Sequence, residues 1–191
     1  MGFAVSWMAI KGKPQQKILD ALELGETGEK EKDVNSGISG ALLPNNWYLI
    51  FLDEFESKYV SDKILIPLSE GCEMVVCNIE EHVMYSSAQY WGNGRKLWQV
   101  SHDSQQGMLN LEEEGILPED FENIKSVKFA EQKKEGGEKA DVDCVFDIPL
   151  HLAEALTGFR HDMENPDFEN IEFSILVSMN PNKPRPWWKF W

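Results

Sequence analysis

Between Phe3 and Ile10 every residue except Ser6 is apolar, and the run is apolar on both faces of the strand it would form. Phe3, Val5, Trp7 and Ala9 share one side of such a strand, and Ala4, Ser6, Met8 and Ile10 share the other. An edge or half-solvated strand alternates polar and apolar residues. A strand that is apolar on both sides belongs in the middle of a sheet, with material packed above and below it. The chain then turns at Lys11-Gly12-Lys13. Pro14 stands where a first helical residue belongs, and Ile18, Leu19 and Leu22 form a stripe that ends before Gly25. The chain therefore opens strand, then helix.

The remaining segments read with uneven clarity. Glu26 to Gly40 is charged and then rich in Gly and Ser, so it reads as an exposed loop, long enough that part of it is expected to be ordered or functional. Trp47 to Leu52 fits a second buried strand. Ser61 to Ser69 has Ile64, Leu65 and Leu68 at helical spacing, with Pro67 expected to shorten the helix and Gly71 to stop it. Glu73 to Ile79 is a β-branched strand. Asn93-Gly94 is the strongest hairpin signal, because both residues accept the positive φ of a type I′ turn. Counted from that turn, Tyr90 opposes Leu97, Gln89 opposes Trp98 and Tyr85 opposes His102. Ser104 to Gly115 reads as irregular. Pro118 opens a helix with Phe121, Ile124 and Val127 on one face and Gly136-Gly137 after it. Asp147-Ile148-Pro149 opens another, closed by Gly158, and Phe173 to Val177 is a last strand. The order of elements predicts an α+β fold, a mixed and largely antiparallel sheet with helices packed against it. Residues 1–179 form one domain, followed by a Pro- and Trp-rich tail, 180–191.

A formal charge of −15 disfavours nucleic acid, whose phosphates need cations, and disfavours anionic membrane surfaces. It favours a basic protein partner, whose approach the field would speed, although charge also serves solubility alone. The acid is densest between residues 111 and 143, where eleven carboxylates face five lysines, and a basic partner is expected there. Three cysteines, Cys72, Cys77 and Cys144, cannot pair off, and buried reduced thiols point to the cytoplasm. The amino-terminal run lacks a basic region before its apolar residues, which argues against a secretory signal.

Few constellations suggest chemistry. Glu80 and His82 fall on one side of a strand and would suit an acid–base pair, with His102-Asp103 nearby in the hairpin. A second His-Asp dipeptide, His161-Asp162, could converge with the first. Neither sits in the helical setting that a His-Asp metal site requires, and Cys72 and Cys77 have no partner pair for zinc, so no metal is expected. No phosphate loop, dinucleotide fingerprint or nucleophile elbow is present, and no cofactor is expected. Trp187, Trp188 and Trp191, three of the seven tryptophans, crowd the last five residues and are candidate binding anchors, docked on their own domain or on another chain.

The runs from Gly2 to Ile10, Glu80 to Ala88, Trp98 to Asp103 and Phe146 to Leu150 resemble a family of uncharacterised bacterial cytoplasmic proteins. The resemblance extends to about Asp162. It implies a bacterial source and carries no catalytic residue with it. In size, acidity and Trp-rich hairpins the chain is also similar to toxin-immunity proteins. Three functions are therefore expected: a non-enzymatic protein-binding module, in one form an immunity-type inhibitor of a basic partner; a small hydrolase or transferase built on Glu80, His82, His102 and Asp103; or a self-associating protein that uses the aromatic tail.

Overall fold

Trp7 and Met8 are neighbours in sequence and both are buried, one on each side of a strand spanning Ala4–Lys11 (β1). The computed structural model describes residues 2–32, 34–162 and 171–179. After β1 come α1 (Gln15–Leu22), β2 (Leu24–Glu31), β3 (Ile38–Leu42), β4 (Tyr48–Leu52) and α2 (Asp62–Leu68). These are followed by β5 (Glu73–Glu80), β6 (Tyr85–Gly92), β7 (Arg95–Asp103), β8 (Glu112–Gly115), α3 (Phe121–Glu135), α4 (Asp147–Thr157) and β9 (Phe173–Ser178). The strands form one sheet in the order β2-β9-β3-β4-β1-β5-β6-β7-β8, antiparallel at every pairing. The fold is α+β, and β1 takes the middle of the sheet, as its two apolar faces demand.

Each face of the sheet carries its own core. On one side Val5, Trp7, Leu49, Phe51, Val75 and Cys77 pack with Phe121 of α3 and with Ile148 and Leu152 of α4. On the other, Met8, Ile10, Ile50, Leu52, Met74 and Val76 lie under Ile18, Leu19 and Leu22 of α1 and Leu65 and Leu68 of α2. Gly158 ends α4 in the left-handed conformation (φ 73°), with its amide donating to Glu154 O at 2.6 Å. Pro67 falls one residue before the end of α2, which stays seven residues long.

Four sequence expectations need correction. The segment from Glu26 to Gly40 is not a loop: it holds the outer strand β2 and most of β3. β2 reads Leu-Gly-Glu-Thr-Gly-Glu-Lys-Glu and is almost wholly exposed, so it has no apolar alternation to betray it; backbone bonds to β9 hold it. The same holds for β8, Glu112–Gly115, within the stretch that reads as irregular. The hairpin turn is as expected, with Asn93 and Gly94 at φ 49° and 74°. A bulge between Tyr90 and Trp91 then shifts the register by one, so that Tyr90 opposes Trp98, Gln89 opposes Gln99 and Tyr85 opposes Asp103. Val127 of α3 is also exposed, because a helix carries it about 120° around from Phe121.

Candidate functional site

Strand geometry separates the candidate catalytic residues. Glu80, Tyr85 and Asp103 oppose one another across β5, β6 and β7, on the sheet side that carries Met8. His102 opposes Ser86 in the next row and so points to the opposite side, beneath α4. Glu80 and Asp103, two strands apart, have backbones about 10 Å from each other. Glu80 is occupied locally: its Oε1 accepts from His82 Nδ1 at 2.6 Å and from the His82 amide at 3.1 Å, closing the turn after β5. Glu80 and His82 are thus paired, with His82 in the turn after β5 and not on the strand, while His102 lies across the sheet from them.

His102 is wholly buried and bonded at both nitrogens. Nδ1 contacts Asn110 O at 2.6 Å, and Nε2 contacts Asp143 Oδ2 at 2.8 Å. The other oxygen of Asp143 accepts from the amides of Val145 and Phe146, both at 3.1 Å, at the entrance to α4. The imidazole therefore has no free nitrogen to offer a substrate. It fastens the α3–α4 connection to the sheet. The side chain of Asp143, one of the eleven carboxylates between residues 111 and 143, is buried as well, away from any basic partner.

His151 and His161 belong to an ion-pair network beside α4. Arg160 donates from Nε and Nη2 to the two oxygens of Asp162, at 2.6 and 2.9 Å, and from Nη2 to Asp147 at 2.8 Å. Asp147 also receives Lys128 at 3.3 Å. Burial works against the charge of Asp162, but the Arg160 guanidinium holds its carboxyl below the ordinary carboxylate range. His151 Nε2 faces Arg160, and its Nδ1 faces Glu154 at 3.1 Å. His161 is enclosed beside Phe3, and burial pushes its imidazole below the usual value despite Asp162 and Glu81. No group of three or more His, Cys, Asp or Glu side chains is arranged to hold a metal among the described residues.

Two features remain that can meet a partner or ligand. The first is the sheet face of β6–β8 on the α1/α2 side. Those helices pack over β1, β4, β5 and the Trp91 end of β6. Beyond them the half-buried Glu80, Tyr85, Gln89, Gln99 and Asp103 and the exposed Glu112 and Glu114 form a polar surface, with Asn78, Ser87 and Ser101 buried in the row between. Burial, then the carboxylates of Glu56, Asp103 and Glu112, push the Tyr85 phenol up, so these acids share one field. The acidic surface continues over the exposed edge strand β8 to Glu119 and Glu122 at the start of α3. Within it Glu113 is paired with Lys125 at 2.6 Å, and Glu114 lies 3.6 Å from Lys96.

The second feature is a groove of about 640 Å³ at the opposite end of the sheet, lined among others by Gln15, Glu26, Lys30, Lys32, Tyr48 and Ser174. Sequence reading missed it. Its only signal there was the polar length of the segment from Glu26 to Gly40. Trp187, Trp188 and Trp191 lie outside the described residues.

No helix among the described residues is long and apolar enough to cross a membrane. Comparison with family models, curated proteins and solved structures finds no significant match to this chain.

Proposed function

We propose that the chain is a protein-binding module of the bacterial cytoplasm whose acidic flank docks a basic protein partner. In its most specific form it is an immunity-type inhibitor that covers a basic toxin. One observation carries this reading: α1 and α2 do not reach the β6–β8 end of this sheet face, and the side chains accessible there are polar and include Glu80, Asp103, Glu112 and Glu114. An uncovered apolar face would point to an obligate assembly. An acidic, hydrogen-bonding face points to a partner recruited by its charge. The separation of His102 from Glu80 and His82 weighs against the hydrolase or transferase alternative.

The test is capture from a lysate of the native cell, followed by binding kinetics with the captured partner at low and high salt. The expected partner is basic, and its association slows steeply with salt. The double reversal Glu112→Lys with Glu114→Lys slows association by about tenfold or more and leaves dissociation less affected. A partner that binds equally well in high salt and to the reversed variant would overturn the proposal.

A further inference from the structure

The groove at the other end of the sheet places opposite charges side by side over a buried phenol that lacks a bond. Glu26 and Lys30 are four residues apart on β2, yet they oppose Leu176 and Ser174, only two apart on β9. The bulge between them, with Gly28 at φ 86°, takes up the difference and turns both side chains to the α1 side. Their backbones are thereby about 7 Å apart, as for any residues two apart on a strand.

They are nevertheless not bonded to each other. Glu26 Oε1 accepts from Gln15 Nε2 at 3.1 Å, and Lys30 Nζ donates to Ser174 Oγ at 2.6 Å. Neither Lys30 nor Lys32 has a carboxylate within 4.0 Å among the described residues, in a chain with an excess of fifteen negative charges.

The floor is the second, independent observation. Tyr48 is 4% exposed, and its Oη is buried with no hydrogen-bond partner of good geometry, the nearby Gln15 amide being turned to Glu26. A bare backbone makes room for it: a Cβ added at Gly40 would stand 2.5 Å from Tyr48 Oη. A buried hydroxyl left without a partner is costly, and in native proteins it calls for an explanation. Here Tyr48 lines a groove whose charged side chains are Lys30 and Lys32 with Glu26 and Glu172.

We propose that this groove binds a small zwitterion of the amino-acid or short-peptide class. Its carboxylate lies against Lys30 and Lys32, its ammonium against Glu26, and a polar atom between them bonds Tyr48 Oη. The reading is independent of the acidic flank, which lies at the other edge of the sheet.

The test uses the full chain and a panel of L-amino acids with alanyl-alanine and glycyl-glycine, in thermal-shift and calorimetric titrations, with acetate and ethylammonium as half-ligands. At least one zwitterion is expected to raise the melting temperature and bind one per chain, and neither half-ligand to do so alone. Lys30→Gln and Glu26→Gln, both on an exposed strand, should each weaken that ligand by about ten- to a hundredfold, the loss of a charged hydrogen bond. Tyr48→Phe should weaken it less, and Gly40→Ala should weaken it by crowding the floor. The proposal is overturned if no member of the panel binds. It is equally overturned if binding survives unchanged in both Lys30→Gln and Glu26→Gln while those variants melt as the parent does.

Discussion

Asp143→Ala is the most informative single perturbation of the fold. The carboxylate accepts three bonds, from His102 Nε2 at 2.8 Å and from the Val145 and Phe146 amides at 3.1 Å. Its side chain is 3% exposed and that of His102 is 0% exposed, so water cannot replace what is lost. Removing the carboxylate leaves three buried donors short of an acceptor at about 1–3 kcal/mol each, partly recovered as they relax, so about 3–5 kcal/mol together. The lost backbone acceptor alone would cost about 1 kcal/mol, as for a helix cap, and overlaps with that figure. We therefore expect a loss of about 3–5 kcal/mol from a total of order 5–15 kcal/mol. At about 2–4 °C per kcal/mol, the melting temperature should fall by roughly 6–20 °C. Urea unfolding followed by tryptophan fluorescence measures it, with the slope expected to stay constant. Glu80→Ala is the control: its partner His82 is 61% exposed, and such a pair is worth less than about 1 kcal/mol. Replacing His102 and Asp143 together by leucine should cost less than the sum of the single changes. If Asp143→Ala costs no more than Glu80→Ala, the pair does not fasten the α3–α4 connection and this account of His102 is wrong.

Other expectations follow from the same packing. Burial holds the folded pKa of His161 below its usual 6.5, so the unfolded chain takes up that proton first. Its contribution is complete above the unfolded value and is lost as pH falls from there toward the folded one. Urea midpoints between pH 7.5 and 5 should thus fall less steeply in His161→Phe than in the parent, and equal slopes would contradict the assignment. Tyr48→Phe removes a buried hydroxyl that has no hydrogen-bond partner of good geometry, so unfolding should show no loss of stability and a gain of up to about 1 kcal/mol. Gly115 has φ 82°, and a Cβ there would stand 2.1 Å from Leu97 O. Gly115→Ala should therefore strain β8 off the sheet, costing about 1–3 kcal/mol and speeding hydrogen exchange in β7 from Trp98 to Ser101.

The parts of the fold that were legible are those whose side chains make a choice. Trp7 and Met8 cannot both be buried unless β1 is central. Asn93-Gly94 accepts a backbone that few other pairs would, and Gly158 does the same at the end of α4. The strands β2 and β8 were illegible because they bury almost nothing: Glu112 to Glu114 belong to the sheet only through backbone bonds to β7, which any residue makes. The bulge at Tyr90 and Trp91 was hidden for a related reason. The turn residues set the register only locally, and the shift beyond them puts Trp98 against Tyr90, where the two rings stack 5.8 Å apart.

Proximity in sequence misleads most where strands are concerned. His102 and Asp103 are adjacent and therefore point to opposite sides of the sheet, so the dipeptide cannot act as a pair. The carboxylate that does meet His102 lies forty-one residues on, where Asp143 enters α4. The groove follows the same logic: its floor is Tyr48 against the bare backbone of Gly40, and its charges are Glu26 and Lys30 of β2, Lys32 just after it and Glu172 just before β9, with Ser174 of β9 beside them. No window of sequence contains all of them. What they share is a face, and faces are set by register. The register here is displaced by the bulge around Gly28 that brings Glu26 and Lys30 to the same side. A residue-type search for chemistry therefore found the histidines, which are tied up in holding the fold together. The side chains that stand open to a partner or ligand are glutamates and lysines, over one buried tyrosine, and their significance exists only once the sheet is assembled.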